Sequence, residues 1–426
     1  MAAQPESNHI LSFEDARHLV ERHAAQIQPV GKNQIDLIEA VGSVLAEPVA
    51  ADRDFPPFHR AARDGYAVRA GDLAKLPAIL DVICEIKAGA PAPAIPVLQA
   101  GQAAMIMTGA PAPEGTDAVV MVEYTARKGG KVEISKGIEP GGNIVPRGSE
   151  AKRGEMLLRP GHRLDAAAIA VAASVGKSRV LVYGRPRIAV LATGDEVVKV
   201  DSLPEPTQIR NSNSYSLAAQ IRLAGGEAIL LPIAPDEPVR LRELITQGFE
   251  KADLLLLTGG VSMGKYDFVE QVLAEFRAEF FFTGVQIQPG RPVVFGRIPC
   301  ADTRVSAPSA HGERPKYFFG LPGNPVSTMV TFLLFAQPMI EGLSGQGPRP
   351  LRFLHARLKT EVHTKAGLKR FLPAVLSGEF ERAEVELARW GGSGDIAATA
   401  RANCYVVTEP DRQRIEAGEW VPVLMK

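Results

Sequence analysis

Much of what would quickly class this sequence is missing from it. Its three cysteines, Cys84, Cys300 and Cys404, lie far apart and form no C-x-x-C pair. Such usage gives no disulfide framework and fits a reducing compartment, so a cytoplasmic location is expected. Charge of either sign is not in excess: 48 Lys plus Arg stand against 48 Asp plus Glu. A chain with no net charge has no global field to draw nucleic acid or an acidic membrane, so neither is expected as a partner. Any anion site must be local. The eight histidines show no metal-ligand spacing, which argues against a zinc cage. There is no Walker loop. Residues 1–10 lack the basic region and apolar run of a signal peptide. The two most apolar windows are Leu254–Leu257 and Val326–Ile340. The first has strand length. The second carries Ser327, Thr328, Thr331 and Gln337 and reads as too short and too polar to span a bilayer. No low-complexity segment or fixed-period repeat interrupts the chain.

What remains is an ordinary globular composition, 46% hydrophobic over 426 residues, long enough for roughly three domains. Ser12 precedes Phe13, Glu14 and Asp15, a helix start with an N-cap and acids in the first turn. Leu11, Leu19, Val20 and Ile27 then mark an amphipathic helix. Asp36–Ala46 reads as a short helical or turn segment. From about Ala51 to Ser149, β-like pieces (Ala78–Ile86, Ala103–Met107, Ala118–Val122, Lys131–Ile134) alternate with Gly and Pro turns, the look of a small β-rich domain. Ala166–Val175 reads as a helix stopped by Gly176. From Pro186 the rhythm changes. Strands Ile188–Leu191, Ala228–Pro232 and Leu254–Leu257 alternate with helices Ser214–Ala224 and Val239–Lys251. Fully apolar strands between amphipathic helices imply a parallel sheet covered on both faces. Such sheets bind ligands at the carboxyl ends of their strands. Pro299–Lys316 reads as a surface loop or hairpin tip. In the tail, Leu354–Leu358, Val385–Ala388, Cys404–Thr408 and Trp420–Leu424 suggest a small β-barrel.

The chemistry concentrates at the strand ends. Leu254–Leu257 runs into Thr258-Gly259-Gly260-Val261-Ser262, and a helix is expected to start near Asp267. Glycines let several backbone N–H groups turn inward together, and the helix adds its positive end. That geometry binds phosphate or another oxyanion. Asp267 would hold a divalent cation beside it. The plainer reading is a tight turn with Asp267 as a helix cap. Gly320 through Ser327 is a rigid loop in which Asn324 suits the cap and Pro325 the first helical position. A merely stiff helix entry explains it equally well. Thr193-Gly194-Asp195-Glu196 sets two acids at another strand end, where adjacent side chains point apart and one is expected to reach a ligand. Asp236 follows a third strand. Taken alone it is better read as the cap of helix Val239–Lys251. Together, Asp195, Glu196, Asp236 and Asp267 are expected to converge on one edge of the sheet, as metal-binding or acid–base groups do. Asp64-Gly65 alone is a turn signal.

Several stretches together resemble the MoeA and gephyrin E-domain family. They are Asp64-Gly65-Tyr66-Ala67-Val68, Met107-Thr108-Gly109-Ala110, Gly142-Asn143-Ile144 with Arg147-Gly148, Thr193-Gly194-Asp195-Glu196, Thr258 through Ser262 and Gly320 through Ser327. Gly391-Gly392-Ser393-Gly394 and Ala402-Asn403 extend the match into the tail. The resemblance implies a multidomain α/β plus β protein. A discontinuous linker and dimerisation domain would cover 10–50 and 150–185, and a β-rich insertion domain 51–149. A central parallel α/β molybdopterin-binding domain would cover 186–344, and a C-terminal small β-barrel 345–426. It implies a homodimer whose site lies where the insertion of one subunit faces the α/β domain of the other.

The activity so implied inserts molybdenum from molybdate into adenylylated molybdopterin, releases AMP and needs a divalent cation, Mg²⁺. By position, the catalytic candidates are Asp64, Glu196 and Asp267, and the cation candidates Asp236 and Asp267. The substrate-binding candidates are Thr108, Glu150, Thr193, Gly194, Asp195, Gly259, Gly260, Ser262, Arg291, Pro322, Gly323, Asn324, Pro325 and Ser393. A molybdopterin adenylyltransferase is the candidate partner that supplies the pterin. Three departures bear on molybdate. Ala61-Ala62-Arg63 replaces the family's Ser-x-Met, Gln288 stands where the family has Lys, and Leu368 and Pro373 replace an Arg pair. Arg63, Lys265 or Arg370 is expected to restore the lost positive charge. Two rival readings follow: a non-catalytic molybdopterin carrier or scaffold, which the altered molybdate residues permit, and the pterin adenylylation enzyme, whose core normally stands alone.

Overall fold

The computed structural model describes residues 9–91, 95–260, 268–299, 315–379 and 382–426. The chain divides into two compact units. One comprises residues 47–159 and 165–179; the other comprises 1–46, 160–164 and 180–426.

The larger unit is built on a six-stranded sheet in the order Glu227–Leu230, Arg187–Ala192, Leu254–Thr258, Lys316–Leu321, Val294–Ile298, Glu279–Phe282. The first four strands run parallel, Val294–Ile298 runs against them, and Glu279–Phe282, antiparallel to Val294–Ile298, returns to their direction. The sheet is therefore mixed where a parallel one was expected. The mixing arises at one strand: Val294–Ile298 pairs antiparallel with both of its neighbours, Lys316–Leu321 and Glu279–Phe282. The stretch 300–314, expected to form a surface loop, lies outside the described residues.

Both faces of the sheet are covered. Leu254 and Leu256 point into a core shared with Val20, Leu217, Phe319 and Phe335, whereas Leu255 and Leu257 point into another with Leu244, Phe249, Val272 and Phe318. This is the period-two alternation of a strand buried on both sides. Helix Ser212–Ala224 is capped by Asn211, whose side chain accepts from Ser214 N–H, and ends at Gly225 with φ of 95°. Helix Pro238–Lys251 packs on the second face. Its cap position is Glu237 rather than Asp236, and no side-chain cap bond forms there. Helix Phe13–Gln26 starts at Ser12, whose hydroxyl accepts from Asp15 N–H at 3.0 Å. Leu11 is not part of it but pairs in a short strand with Val285. Likewise, the helical reading of Asp36–Ala46 reduces to one 3₁₀ turn, Leu37–Ala40, after strand Lys32–Asp36.

A 19-residue helical run, Pro325–Leu343, passes through the first core with a π-turn over Phe332–Ala336. The expectation that this stretch is too short and polar to span a bilayer needs correcting. By length and composition it suffices, because the helix continues to Leu343, but 83% of its apolar window is buried against protein.

The tail closes a five-stranded barrel: Lys369–Ser377, Glu384–Leu387, Phe353–Leu358, Trp420–Met425, Cys404–Thr408, then back to Lys369–Ser377. Closure removes the open strand edges. Ala356, Leu358, Val385, Val406 and Val423 fill its interior.

The smaller unit carries a second six-stranded sheet, ordered Ala118–Met121, Gly65–Val68, Gln102–Ile106, Ala78–Ile86, Lys131–Ile134, Thr125–Lys128. Asp64-Gly65 is thus the entry to an inner strand, not only a turn. Gly65 is required there: a Cβ would lie 1.8 Å from the Val120 carbonyl oxygen of the neighbouring strand.

Candidate active site

Three strand ends of the larger unit meet at one cleft. Thr193 N–H donates to the Thr258 carbonyl at 3.0 Å, and Gly194 N–H to the Ala234 carbonyl at 3.2 Å. The loops after Arg187–Ala192, Glu227–Leu230 and Leu254–Thr258 are thereby tied side by side. The cleft they frame has a volume of about 420 Å³ and is lined by Thr193, Gly194, Glu196, Asp236, Gly259, Gly260, Pro322, Gly323, Asn324 and Pro325, among others. It sits at the carboxyl ends of parallel strands, where open α/β sheets take ligands.

The two glycines are there because nothing larger fits. Gly259 (φ 89°) and Gly260 (φ 58°) adopt left-handed backbone, and a Cβ on either would fall 2.5 Å from Thr193 O or 2.8 Å from Thr193 Oγ1. Asn324 takes the N-cap position of Pro325–Thr331, but its side chain makes no cap bond. Its carbonyl instead accepts from Thr328 N–H and Thr328 Oγ1. The barrel loop closes in here as well: Val326 N–H donates to the Ser393 carbonyl at 3.0 Å.

The acids are close enough to feel one another. Asp236 N–H donates to Asp195 Oδ1 at 3.1 Å. Desolvation, followed by the charges of Asp195 and Glu196, pushes the Asp236 carboxyl above its ordinary range. Of the adjacent acids, Glu196 lines the cleft while Asp195 turns to the Asp236 backbone. Asp267 and Ser262 lie outside the described residues. Arg291 is exposed on the loop after Ile287–Gln288, and its neighbour Pro292 lines the cleft.

Asp64, Thr108 and Glu150 belong to the smaller unit. Asp64 Oδ1 accepts from Thr108 N–H at 2.6 Å and from Thr108 Oγ1 at 2.8 Å. These two bonds, the backbone one first, hold its carboxyl below the ordinary range. Glu150 pairs with Arg60 at 3.0 Å.

Arg210 and Asn213 line the cleft without having been singled out in the sequence. Arg210 brings a positive charge to the lining. Asn213 donates through Nδ2 to Thr258 Oγ1 (3.0 Å) and to the Gly323 carbonyl (2.7 Å), and Thr258 Oγ1 reaches the Pro322 carbonyl at 3.2 Å. The available signal was Asn211-Ser212-Asn213 at a helix start, where a single cap suffices.

A two-faced α/β unit with an anion-type cleft, followed by a closed barrel and accompanied by a β-rich unit, is the architecture of a molybdenum cofactor biosynthesis protein. Family models match along the chain: MoeA N-terminal region (domain I and II) over residues 11–176, probable molybdopterin binding domain over 189–342, and MoeA C-terminal region (domain IV) over 355–426. The chain is 36% identical over 399 residues to a molybdopterin molybdenumtransferase of Nostoc sp., covering 92% of this chain and 88% of that one. It is 32% identical to one of Haemophilus influenzae, covering 93% and 94%. The molybdopterin biosynthesis MoeA protein of Pyrococcus horikosii superposes with a TM-score of 0.71 at 30% identity, covering 98% and 99%. The chain belongs to the molybdopterin molybdenumtransferase (MoeA) family.

Proposed function

We propose that this protein inserts molybdenum from molybdate into adenylylated molybdopterin and releases AMP. The observation that carries the reading is the cleft itself, where two glycine-lined loops and the acids Glu196 and Asp236 face one space at the strand ends. Backbone N–H groups of Gly260 and Gly323 suit the phosphoryl oxygens of such a substrate, since preorganised donors stabilise developing charge, while the Gly259 N–H is turned to the Leu321 carbonyl at 3.4 Å. Thr193, Gly194, Asp195, Ser262, Pro322, Asn324, Pro325 and Ser393 complete the proposed binding surface, with Arg291 toward molybdate and Thr108 and Glu150 contributed by the β-rich unit. Asp64 and Glu196 orient the substrate.

Among the described residues no group of three or more His, Cys, Asp or Glu side chains is placed to hold a metal ion. What supports a divalent cation is Asp236 alone, whose carboxyl is pushed up by desolvation and then by the charges of Asp195 and Glu196, a repulsion that a counter-charge would relieve. Mg²⁺ takes one or two carboxylates and completes its shell with water and phosphate. Asp236 and Asp267 would hold it, and it would neutralise phosphate charge during cleavage of the phosphoanhydride.

The four-domain division over 10–50 with 150–185, 51–149, 186–344 and 345–426 is proposed with it. So are the homodimer, the cytoplasmic setting and supply of the pterin by a molybdopterin adenylyltransferase. The deciding assay mixes the protein with adenylylated molybdopterin, Mg²⁺ and molybdate and follows AMP. Release of AMP only with molybdate supports the reading. Tight pterin binding without AMP release replaces it with a carrier role, which Gln288 at a lysine position favours. ATP-dependent attachment of AMP to molybdopterin replaces it with adenylylation.

A further inference from the structure

Asn213 touches both glycine loops, although the helix it belongs to does not need it. Asn211 already caps Ser212–Ala224. The Asn213 amide instead points Nδ2 at Thr258 Oγ1 and at the Gly323 carbonyl, at 3.0 and 2.7 Å. Thr258 ends one strand and immediately precedes Gly259. Gly323 sits inside the other loop, close enough that a Cβ on it would meet Gly259 Cα at 3.5 Å. Thr258 Oγ1 accepts from Asn213 and donates to the Pro322 carbonyl at 3.2 Å, so the bracket has two rungs. The other half of the amide has no partner among the described residues: Asn213 Oδ1 is buried and unbonded there, as is Thr193 Oγ1 across the same cleft. A bare buried acceptor is costly. A bracket that served packing alone would be better made by an apolar side chain of the same size.

We propose that Asn213 is a positioning residue: it fixes the spacing of the Thr258–Gly260 and Pro322–Asn324 loops so that the N–H groups of Gly260, Gly323 and Asn324 engage one phosphoryl-bearing ligand. This rests on the cleft being a phosphate site, and the test separates the two ideas. Inorganic pyrophosphate and AMP serve as probes, titrated calorimetrically into the full-length protein and into Asn213→Leu, Thr258→Val and Thr258→Ser variants. Asn213→Leu and Thr258→Val are expected to weaken pyrophosphate binding about tenfold, and Thr258→Ser, which keeps the hydroxyl, by less than about twofold. In turnover, the first two should raise KM for the adenylylated pterin with kcat little changed, the mark of a lost ground-state contact. A merely structural role lowers the unfolding temperature and leaves pyrophosphate affinity intact, and that result overturns the proposal. If Asn213→Leu does not fold, the Thr258→Val and Thr258→Ser pair decides by the same criterion. If the unsubstituted protein binds neither probe, the phosphate reading of the cleft falls, and the role of Asn213 with it.

Discussion

Arg17 Nη1 donates at 2.6 Å to the carbonyl of Leu334, four residues before Pro338. A proline has no N–H to give the carbonyl one turn back, so a helix that runs through one leaves that acceptor open. Here a guanidinium from the first helix fills the gap. It also donates to the Arg349 carbonyl at 2.9 Å and pairs with Glu21. Arg17 is only 6% exposed, which is explained by this work on backbone oxygens inside the core.

Arg17→Met should therefore destabilise the larger unit by about 1–3 kcal/mol for each carbonyl orphaned. Pro338→Ala restores an N–H opposite Leu334. In the double variant, part of the loss should return. Urea unfolding of the four proteins gives the coupling directly, and strict additivity would show that the two residues do not share the Leu334 carbonyl.

Asp236 provides a pH signature. Its carboxyl is pushed above the ordinary range by desolvation and by Asp195 and Glu196. The folded protein thus holds that proton more tightly than the unfolded chain. Its contribution is fully present below the ordinary aspartate range and is lost as pH rises through the elevated value. Thermal midpoints measured from acid to neutral pH should fall less in Asp236→Asn than in the unsubstituted protein. Mg²⁺ should recover the loss at neutral pH, by about 2.7 kcal/mol at a hundred times its Kd, and much less in Asp236→Asn. Equal Mg²⁺ responses in the two proteins would remove Asp236 from the cation site.

Several strands were legible because their signals are strong and local. Cys404–Thr408 and Ala78–Ile86 were read to the residue, and Leu254–Thr258 to within one, since fully apolar or strictly bounded runs leave little choice. Lys369–Ser377, the barrel's nine-residue strand, went unread. It begins Lys369-Arg370 and contains Pro373, so its β character comes from pairing on both sides rather than from its own pattern. Gly65–Val68 was hidden in the same way, because Asp-Gly signals a turn while the close approach of Val120 that demands glycine is a tertiary fact. Asn213 shows the limit for sites: its partners Thr258 and Gly323 lie 45 and 110 residues away, and no local spacing announces them.

Asp64 and Thr108 make a second titration test. Both bonds into Asp64 Oδ1 come from Thr108, and they depress the carboxyl. Thr108→Val keeps the backbone donor and removes the hydroxyl. The Asp64 carboxyl should then titrate at a higher pH than in the unsubstituted protein while staying below the ordinary value, as followed by carboxyl ¹³C shifts. Because a depressed acid stabilises the fold above the ordinary aspartate range and loses that contribution as pH falls through the lowered value, the variant should also lose stability earlier on acidification. An unchanged Asp64 titration would mean that the hydroxyl bond contributes nothing to the depression.

The last prediction concerns the anion to be delivered. Gln288 pairs with Arg370 where strand Ile287–Gln288 lies along the barrel's Lys369–Ser377. Of the three cations expected to replace the missing lysine charge, Arg63 belongs to the smaller unit and Lys265 lies outside the described residues. Lys369 is held by Glu14 and Glu409. Arg370 spends Nε and Nη2 on the Lys365 carbonyl, with burial lowering its pKa, and has remaining donors beside Gln288. Arg291 is exposed three residues beyond Gln288. Molybdate affinity at low salt should therefore drop about three- to tenfold in Arg291→Ala and in Arg370→Ala, and rise by a similar factor in Gln288→Lys. The effects at Arg291 and Gln288 should shrink as salt is raised to 0.5 M, because an exposed charge is screened beyond a few ångströms there, whereas the effect at the buried Arg370 should persist. Unchanged binding in both alanine variants would place molybdate elsewhere, and a Gln288→Lys gain that survives high salt would point to a buried contact in place of an open electrostatic one.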